Sequence, residues 1–314
     1  MGYKLGGMAH LRWIKIVSAG LVTLVACRGE KPAEQRSSAV TPGDNGESSQ
    51  IVAATPRWNT ALGGALILPS SRAGDAKVWI IPPTYVEPVT DTGTFDVTGL
   101  ARHPVDLFNR SGLVTSAMLA SVRPPSDDAC DDFPAGALSM ARGGWTVALE
   151  SGRATAVGLD SIEAMSPTDS AAFAAQITGL VSTLPETRDS VFSSVPFAVQ
   201  GGYRFRTGEL DVIIATVQRS IPSEANPRLD NTIVIAERPV GAPGAYQVGF
   251  VKRSAGAERD AGAVNPLAVV LLGSGRQPVV LVKYEYFDGI TAGVIERIEP
   301  RHWVATWTSG SPGC

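Results

Sequence analysis

Histidine and cysteine are scarce in this chain, and that scarcity removes several kinds of chemistry. Only three of each occur among 314 residues. Beyond the N-terminal segment the histidines reduce to His103 and His302, about 200 residues apart. A histidine metal site needs several ligands at workable spacing, and none is visible. No nucleophile elbow, phosphate loop, dinucleotide fingerprint or HExxH occurs, so no resident cofactor is expected. Long apolar runs are missing as well, which excludes a membrane-spanning helix of roughly 20 residues. A basic run is also absent from the body. Residues 1–26 hold three of the 27 basic residues and none of the 30 acids, so the remainder carries a formal charge of −6. That balance argues against nucleic acid as a partner, because its binders are basic and patchy.

What the chain does have begins at its N-terminus. Lys4, Arg12 and Lys15 precede an apolar run from Ile16 to Ala26, broken only by Ser18, Gly20 and Thr23. A basic start, about ten apolar residues and a small residue before the cut is the layout of an export signal, with Met1 or Met8 as its first residue. The run ends in Leu24-Val25-Ala26-Cys27. This ending resembles the lipobox of bacterial lipoproteins. The resemblance covers residues 1–27 and implies that the signal, residues 1–26, is removed and that Cys27 is acylated. Two or three acyl chains, at about 0.8 kcal/mol per buried methylene, would hold the body at a membrane unaided. Arg28, where family members kept at the inner membrane carry Asp, implies the outer membrane in a two-membrane host.

Residues 27–50 form the next segment, polar with scarcely a side chain to bury, and read as a disordered tether. Such a chain spans roughly 25–30 Å. Residues 51–314 are the globular body, either one domain or two halves (51–165 and 186–314) joined by a helix at 166–185. With Cys27 lipidated, Cys130 and Cys314 remain; in an oxidising envelope they are natural disulfide partners, the alternative being two free thiols. Closing a loop of about 185 residues would contribute roughly 4–5 kcal/mol in the chain-entropy model.

The body reads as mainly β, an α+β fold of antiparallel sheets in a meander with one covering amphipathic helix. Its 33 glycines and 22 prolines suit a strand-rich chain with many turns. Early strands are expected at 65–68, 77–81, 105–108 and 113–119, with Asn109-Arg110-Ser111-Gly112 as a hairpin loop. A second hairpin is expected from 145–150 and 153–159 about Ser151-Gly152. It would put Trp145, Val147, Leu149, Ala154 and Ala156 on one face and Glu150 beside Arg153 on the other. The helix at 166–185 has Ser166 as N-cap, Pro167 at the first position and Asp169 near the positive end of the dipole. Phe173, Ile177, Leu180, Val181 and Leu184 make its single apolar stripe. Strands follow at 210–217, 232–237, 246–251, 267–272, 279–287, 290–298 and 303–307. Asp288-Gly289 is the strongest hairpin signal, and it pairs Phe287 with Ile290 and Tyr284 with Gly293.

Three groups are candidates for chemistry. Asp127, Asp128, Asp131 and Asp132 surround Cys130, and clustered carboxylates suit Ca²⁺; a solvated acidic turn is the plainer reading. Glu237, Arg238, Arg253, Glu258, Glu285, Asp288, Glu296 and Arg297 gather on the C-terminal strands, where paired carboxylates would serve glycoside chemistry. In the hairpin about Asp288-Gly289, Lys283 and Glu296 are diagonal neighbours and read as a surface ion pair worth under about 1 kcal/mol. Tyr284, Tyr286, Trp303 and Trp307 form either an aromatic strip for sugar or peptide, or core. The function expected is therefore a non-catalytic binding or scaffolding role in the envelope toward a protein or glycan, with a carboxylate-dependent hydrolase of envelope polymers as alternative.

The mass of the native mature protein tests the N-terminal reading. It should lack residues 1–26, gain acyl chains on Cys27, and fall short by two hydrogens for a Cys130–Cys314 bridge. A chain that retains its leader unmodified would refute the assignment.

Overall fold

The structure is a computed structural model that describes residues 65–70, 77–82, 97–125, 133–139, 143–223, 226–272, 277–287 and 289–309. All of these lie in one compact unit, Val52–Cys314. The described residues are mainly β, with antiparallel sheets and a single α-helix.

The first strands are β1 (Leu66–Pro69), β2 (Lys77–Ile81), β3 (Pro104–Asn109), β4 (Gly112–Arg123), β5 (Ala135–Ser139) and β6 (Val147–Glu150). They close into a barrel in the order β1-β2-β5-β4-β3-β6. Alternate residues such as Ile67, Ile80, Leu107, Leu119 and Ala148 fill its interior. The expected Asn109–Gly112 hairpin is present: Asn109 pairs with Gly112, and Gly112 has φ +122°.

Next come β7 (Ala154–Val157), β8 (Asp160–Ser161), helix α1 (Pro167–Ser182) and β9 (Ala198–Thr207). The remaining strands are β10 (Leu210–Ile221), β11 (Arg228–Pro239), β12 (Gln247–Ala257), β13 (Ala263–Leu272), β14 (Gln277–Tyr286), β15 (Gly289–Glu299) and β16 (His302–Thr308). An outer sheet runs β12-β11-β10-β9-β8 and a central sheet β16-β15-β14-β13-β7. Each is a meander apart from its short edge strand, as sequential strands with short connections dictate.

Four apolar clusters stack these parts in layers. Phe173, Ile177 and Val181 of α1 pack on Ile213, Ala215 and Val234 of the outer sheet. The opposite face of that sheet (Val212, Ile214, Ile233, Ile235) meets Val269, Val280, Val282 and Ile295 of the central sheet. The other face of the central sheet (Val270, Leu281, Val294, Trp307) meets Leu66, Phe108, Val147 and Leu149 of the barrel. Both five-stranded sheets are therefore buried on two faces, which explains runs such as Ala268–Val270 and Val279–Val282 with no polar alternation.

The helix forms as its sequence dictates. Ser166 accepts a hydrogen bond from the Asp169 amide, Pro167 opens the first turn, and the stripe faces inward. Its close seat on β9 depends on Gly202, where a Cβ would lie 2.8 Å from Ile177 Cδ1 and 3.1 Å from Phe173 Cε1.

Three expectations need correction. β6 and β7 do not pair with each other: β6 joins β3 and β1 in the barrel, while β7 joins β13 in the central sheet. β6 is buried on both sides, so its hydrogen bonds are needed on both edges to close the barrel. The Ser151-Gly152 turn is instead a crossing point held by Asp106. That carboxylate accepts from Ser116 Oγ (2.6 Å), Ser151 Oγ (2.9 Å) and the Gly152 amide (2.9 Å). Burial pushes Asp106 up, but these bonds win and hold it below its ordinary value. Val147, Leu149, Ala154 and Ala156 do meet across the seam, and Glu150 pairs with Arg153 at 2.5 Å, but Trp145 belongs to the barrel interior.

The β14–β15 register is also two residues off the expected one. Tyr286 pairs with Gly289, Glu285 with Ile290, Tyr284 with Thr291 and Val282 with Gly293. A two-residue slip leaves every side chain on its face. Tyr284 still lies across Gly293, now diagonally, with ring carbon Cε2 2.6 Å from where a Cβ would sit. Asp288 lies outside the described residues. The third correction follows from this register: Lys283 bonds Glu285 at 2.5 Å, not Glu296, which is buried and accepts from Thr306 Oγ1 at 3.1 Å.

Two glycine substitutions separate packing from chain entropy. Gly202→Ala should cost about 1–3 kcal/mol by overpacking. Gly179→Ala, in helix α1 with nothing within 4 Å of the new methyl, should stabilise by about 0.5–1 kcal/mol. Thermal melts of the two variants should therefore shift in opposite directions.

Candidate functional site: an arginine-lined groove

Three turns meet at one end of the double sheet: β9–β10 at Gly208-Glu209, β11–β12 at 239–246, and β15–β16 at Pro300-Arg301. The Val240 amide donates to the Glu209 carbonyl at 2.7 Å, tying the first two together. Between them lies a groove of about 630 Å³. Its charged lining is Glu209, Glu237, Arg238, Arg297 and Arg301, and Pro239, Pro243 and Pro300 supply apolar walls.

Glu237, at the end of β11, organises the floor. Its two oxygens accept from Arg297 Nε and Nη2, both at 2.8 Å, from the Arg301 amide at 2.7 Å and from Trp303 Nε1 at 2.7 Å. The residue is only 3% exposed. Burial would raise its carboxyl, but the Arg297 fork, the Arg301 amide and the indole overcome this and hold it below the ordinary glutamate value. Breaking such a buried pair from one side typically costs 3–5 kcal/mol.

Arg301 is held in the left-handed region, at φ +61°. For a non-glycine residue this costs roughly 1–2 kcal/mol. The charge-assisted bond from its amide to Glu237, at roughly 1.5–3 kcal/mol, offsets the cost. Close approach beneath it depends on Gly249, where a Cβ would stand 2.6 Å from Trp303 Cδ1 and 3.0 Å from the Arg301 carbonyl carbon. The Arg301 guanidinium bonds the Gln247 side-chain oxygen and has no carboxylate partner among the described residues. Arg102, in the turn before β3, is the other left-handed arginine among them.

A second clamp stands behind the groove. Asp211, 1% exposed, takes Arg204 on both oxygens and Arg238 through Nε (3.3 Å) and Nη2 (3.2 Å), with Arg206 at 3.8 Å. Arg238 also donates to the Gly244 carbonyl at 3.2 Å and lies over the Tyr246 ring at 4.2 Å. Burial acts to raise the Asp211 carboxyl, yet bonds from Arg204, Tyr246 and Arg238 bring it down to about 2. Three guanidiniums thus gather on Asp211 and one on Glu237, and that of Arg301 bonds Gln247 beside them, at this end of an otherwise acidic protein.

Of the sequence candidates, the structure brings Glu237, Arg238 and Arg297 together here. Arg253 lies in a separate network, bonding Asp230 at 2.8 Å and Asp189 at 2.5 Å. Arg219 completes that network through Asp230 and the Thr187 and Phe192 carbonyls, which fastens the segment after α1 to the outer sheet. Glu258 is exposed, and Glu285 bonds Lys283 and Asn265. Tyr284, Trp303 and Trp307 are core, and Tyr286 is partly exposed, so no aromatic strip faces solvent along these four. His103 and His302 are exposed. Cys27, Cys130, Cys314, Asp127, Asp128, Asp131 and Asp132 lie outside the described residues. Among the described residues no group of three or more His, Cys, Asp or Glu side chains is placed to hold a metal. No helix among them is long and apolar enough to cross a membrane.

Sequence reasoning missed Asp211, Arg204, Tyr246 and Arg301. The cross-strand pair Arg206–Asp211 around Gly208-Glu209 was a usable signal. The left-handed Arg301 had none. Comparison with protein-family models, with curated proteins and with solved structures finds no match to this chain.

The Asp211 clamp makes a pH prediction. A carboxylate lowered from 3.8 to about 2 on folding contributes about 2 kcal/mol above the unfolded value, and loses it as pH falls through the folded one. Urea titrations at pH 5 and pH 2 should show a smaller loss of stability for Asp211→Asn than for the parent. Equal losses would mean the clamp is not what acid breaks.

Proposed function

We propose that this chain is a lipid-anchored cell-envelope protein with a non-catalytic binding or scaffolding role, and that the groove at the arginine end is where its body binds. The anchor reading rests on Leu24 to Cys27 and the basic, apolar stretch before them. In a two-membrane host, Arg28 points to the outer membrane. The polar segment 27–50 supplies reach, so the body needs no membrane contact of its own.

One observation carries the binding reading: the buried carboxylates at the groove are clamped in the ionised form. A general acid for glycoside cleavage has to hold its proton near neutral pH. Glu237 and Asp211 are shifted the opposite way. A carboxylate with its oxygens committed to arginine, indole and amide donors fixes geometry instead of transferring a proton. The walls it fixes are concave and rich in donors, which suits a binding site.

The test uses the full chain in detergent, incubated with a fractionated extract of envelope glycans and peptides and read by native mass spectrometry. A bound species whose mass is unchanged after long incubation is expected, and Ala245→Trp, which fills the groove from an exposed position, should abolish it. Shortened products would overturn the non-catalytic reading in favour of the hydrolase. Binding that survives Ala245→Trp would move the site elsewhere.

A further inference from the structure

We infer that the groove takes a small, multiply charged anion, carboxylate or phosphate, and that Arg301 is its primary contact. This deepens the binding reading above and rests on the groove being the site.

Three features converge on that ligand class. The first is charge. Arg238, Arg297 and Arg301 line the groove against Glu237 and the exposed Glu209, and behind it Arg204 and Arg206 share the buried Asp211 with Arg238, so five guanidiniums stand against three acids. A positive site inside an acidic protein draws anions by local field, not by net charge. The second is donor availability. Arg297 commits Nε and Nη2 to Glu237, and Arg301 spends its backbone amide on Glu237 and one side-chain nitrogen on Gln247. Each guanidinium carries five N–H donors in a planar fork matched to carboxylate and phosphate oxygens, so both retain donors for a ligand.

The third feature is backbone strain. Glycine occupies a left-handed position without penalty, whereas arginine does not. The fold holds Arg301 at φ +61° with its amide anchored on Glu237 and its side chain lining the cavity. Arg301, the one lining arginine without a carboxylate partner among the described residues, is thereby fixed at the rim of the cavity, and an unusual backbone conformation held at such a place motivates a ligand contact. The cavity of about 630 Å³ admits a ligand the size of a short acidic saccharide.

Isothermal titration of the full chain in detergent tests this with three probes: trigalacturonate, pyrophosphate and the neutral maltotriose as size control. At least one of the two anions should bind, and affinity should fall at least tenfold between 50 and 300 mM salt. Arg301→Gly should weaken binding at least tenfold while the melting temperature holds or rises, which separates a lost contact from a damaged fold. Arg301→Lys should rescue only part of the affinity, because an ammonium lacks the planar fork. A response to trigalacturonate alone identifies a carboxylate ligand, and one to pyrophosphate alone a phosphate ligand. Equal binding of maltotriose, or full affinity in Arg301→Gly together with loss in Ala245→Trp, would overturn the anion inference and leave the groove standing. No binding of either anion at millimolar concentration would overturn it as well, and the extract experiment would then judge the groove alone.

Discussion

Water is excluded from both faces of the central sheet, and most of the architecture follows from that. An antiparallel sheet wet on one side alternates polar and apolar residues; this one has no side to give to polar groups. Ala268–Val270 on β13, Val279–Val282 on β14 and Ala292–Ile295 on β15 are buried throughout. Each large side chain there contributes roughly 1.5–3 kcal/mol by leaving water. The barrel and the outer sheet each cover one of its faces, and the helix in turn covers the exposed side of the outer sheet. Remove the central layer and two broad apolar surfaces face solvent. The layers are thus interdependent, and β7 is the short covalent link by which the chain leaves the barrel and enters the stack.

Charge has to go where the layers end. A buried ion pair amid packed aliphatic layers would lose more by desolvation than it gains by attraction unless every lone pair is met. The chain meets this condition at strand termini. Asp211 and Glu237 sit at the ends of β10 and β11, and each collects several donors. Asp230 does the same at the start of β11, where Arg219 and Arg253 reach it from neighbouring strands. Asp211 and Asp230 are each shared among more than one guanidinium, and Glu237 takes one guanidinium, a backbone amide and an indole, because a carboxylate has about four acceptor positions. The surplus positive charge is a by-product of this satisfaction rule, and at the turns beside Arg301 it is exposed to a cavity.

Local signals in the sequence were legible where local physics decides the outcome. Ser166, Pro167 and the spacing of Phe173, Ile177 and Val181 define α1 within one stretch of chain. The strands from β9 onward were readable because apolar runs are separated by turn residues. What was not legible was set by non-local competition. Val147 to Glu150 reads as half of a hairpin, yet the barrel offers it partners on both edges, and a hairpin offers one. The Asp288-Gly289 signal gives the turn but not the register, since a two-residue slip keeps every side chain on its face and alternation cannot forbid it. Contact between Tyr284 and Gly293, available diagonally, fits the observed pairing equally well. The groove suffered most. Glu237, Arg238 and Arg297 were visible as charged residues on strands, but their meeting depends on which turns share an end of the stack. Asp211 looks like an ordinary turn acid in sequence, and a left-handed arginine has no one-dimensional signature at all.

The clamps also decide which solution variable controls the groove. Asp211 is held at about 2 and Glu237 below its usual range, so both stay ionised throughout neutral pH. Guanidinium keeps its proton under the same conditions. The charge contributed by these groups is therefore constant across neutral pH. Ionic strength is different, because the Debye length contracts from about 30 Å at 0.01 M salt to about 8 Å at 0.15 M. The clamped pairs are buried and barely feel this, whereas the Arg301 guanidinium, exposed at the rim, feels it fully. Stability and the field at the rim consequently respond to different variables: acid acts on the buried clamps, and salt screens the guanidinium that the turns present.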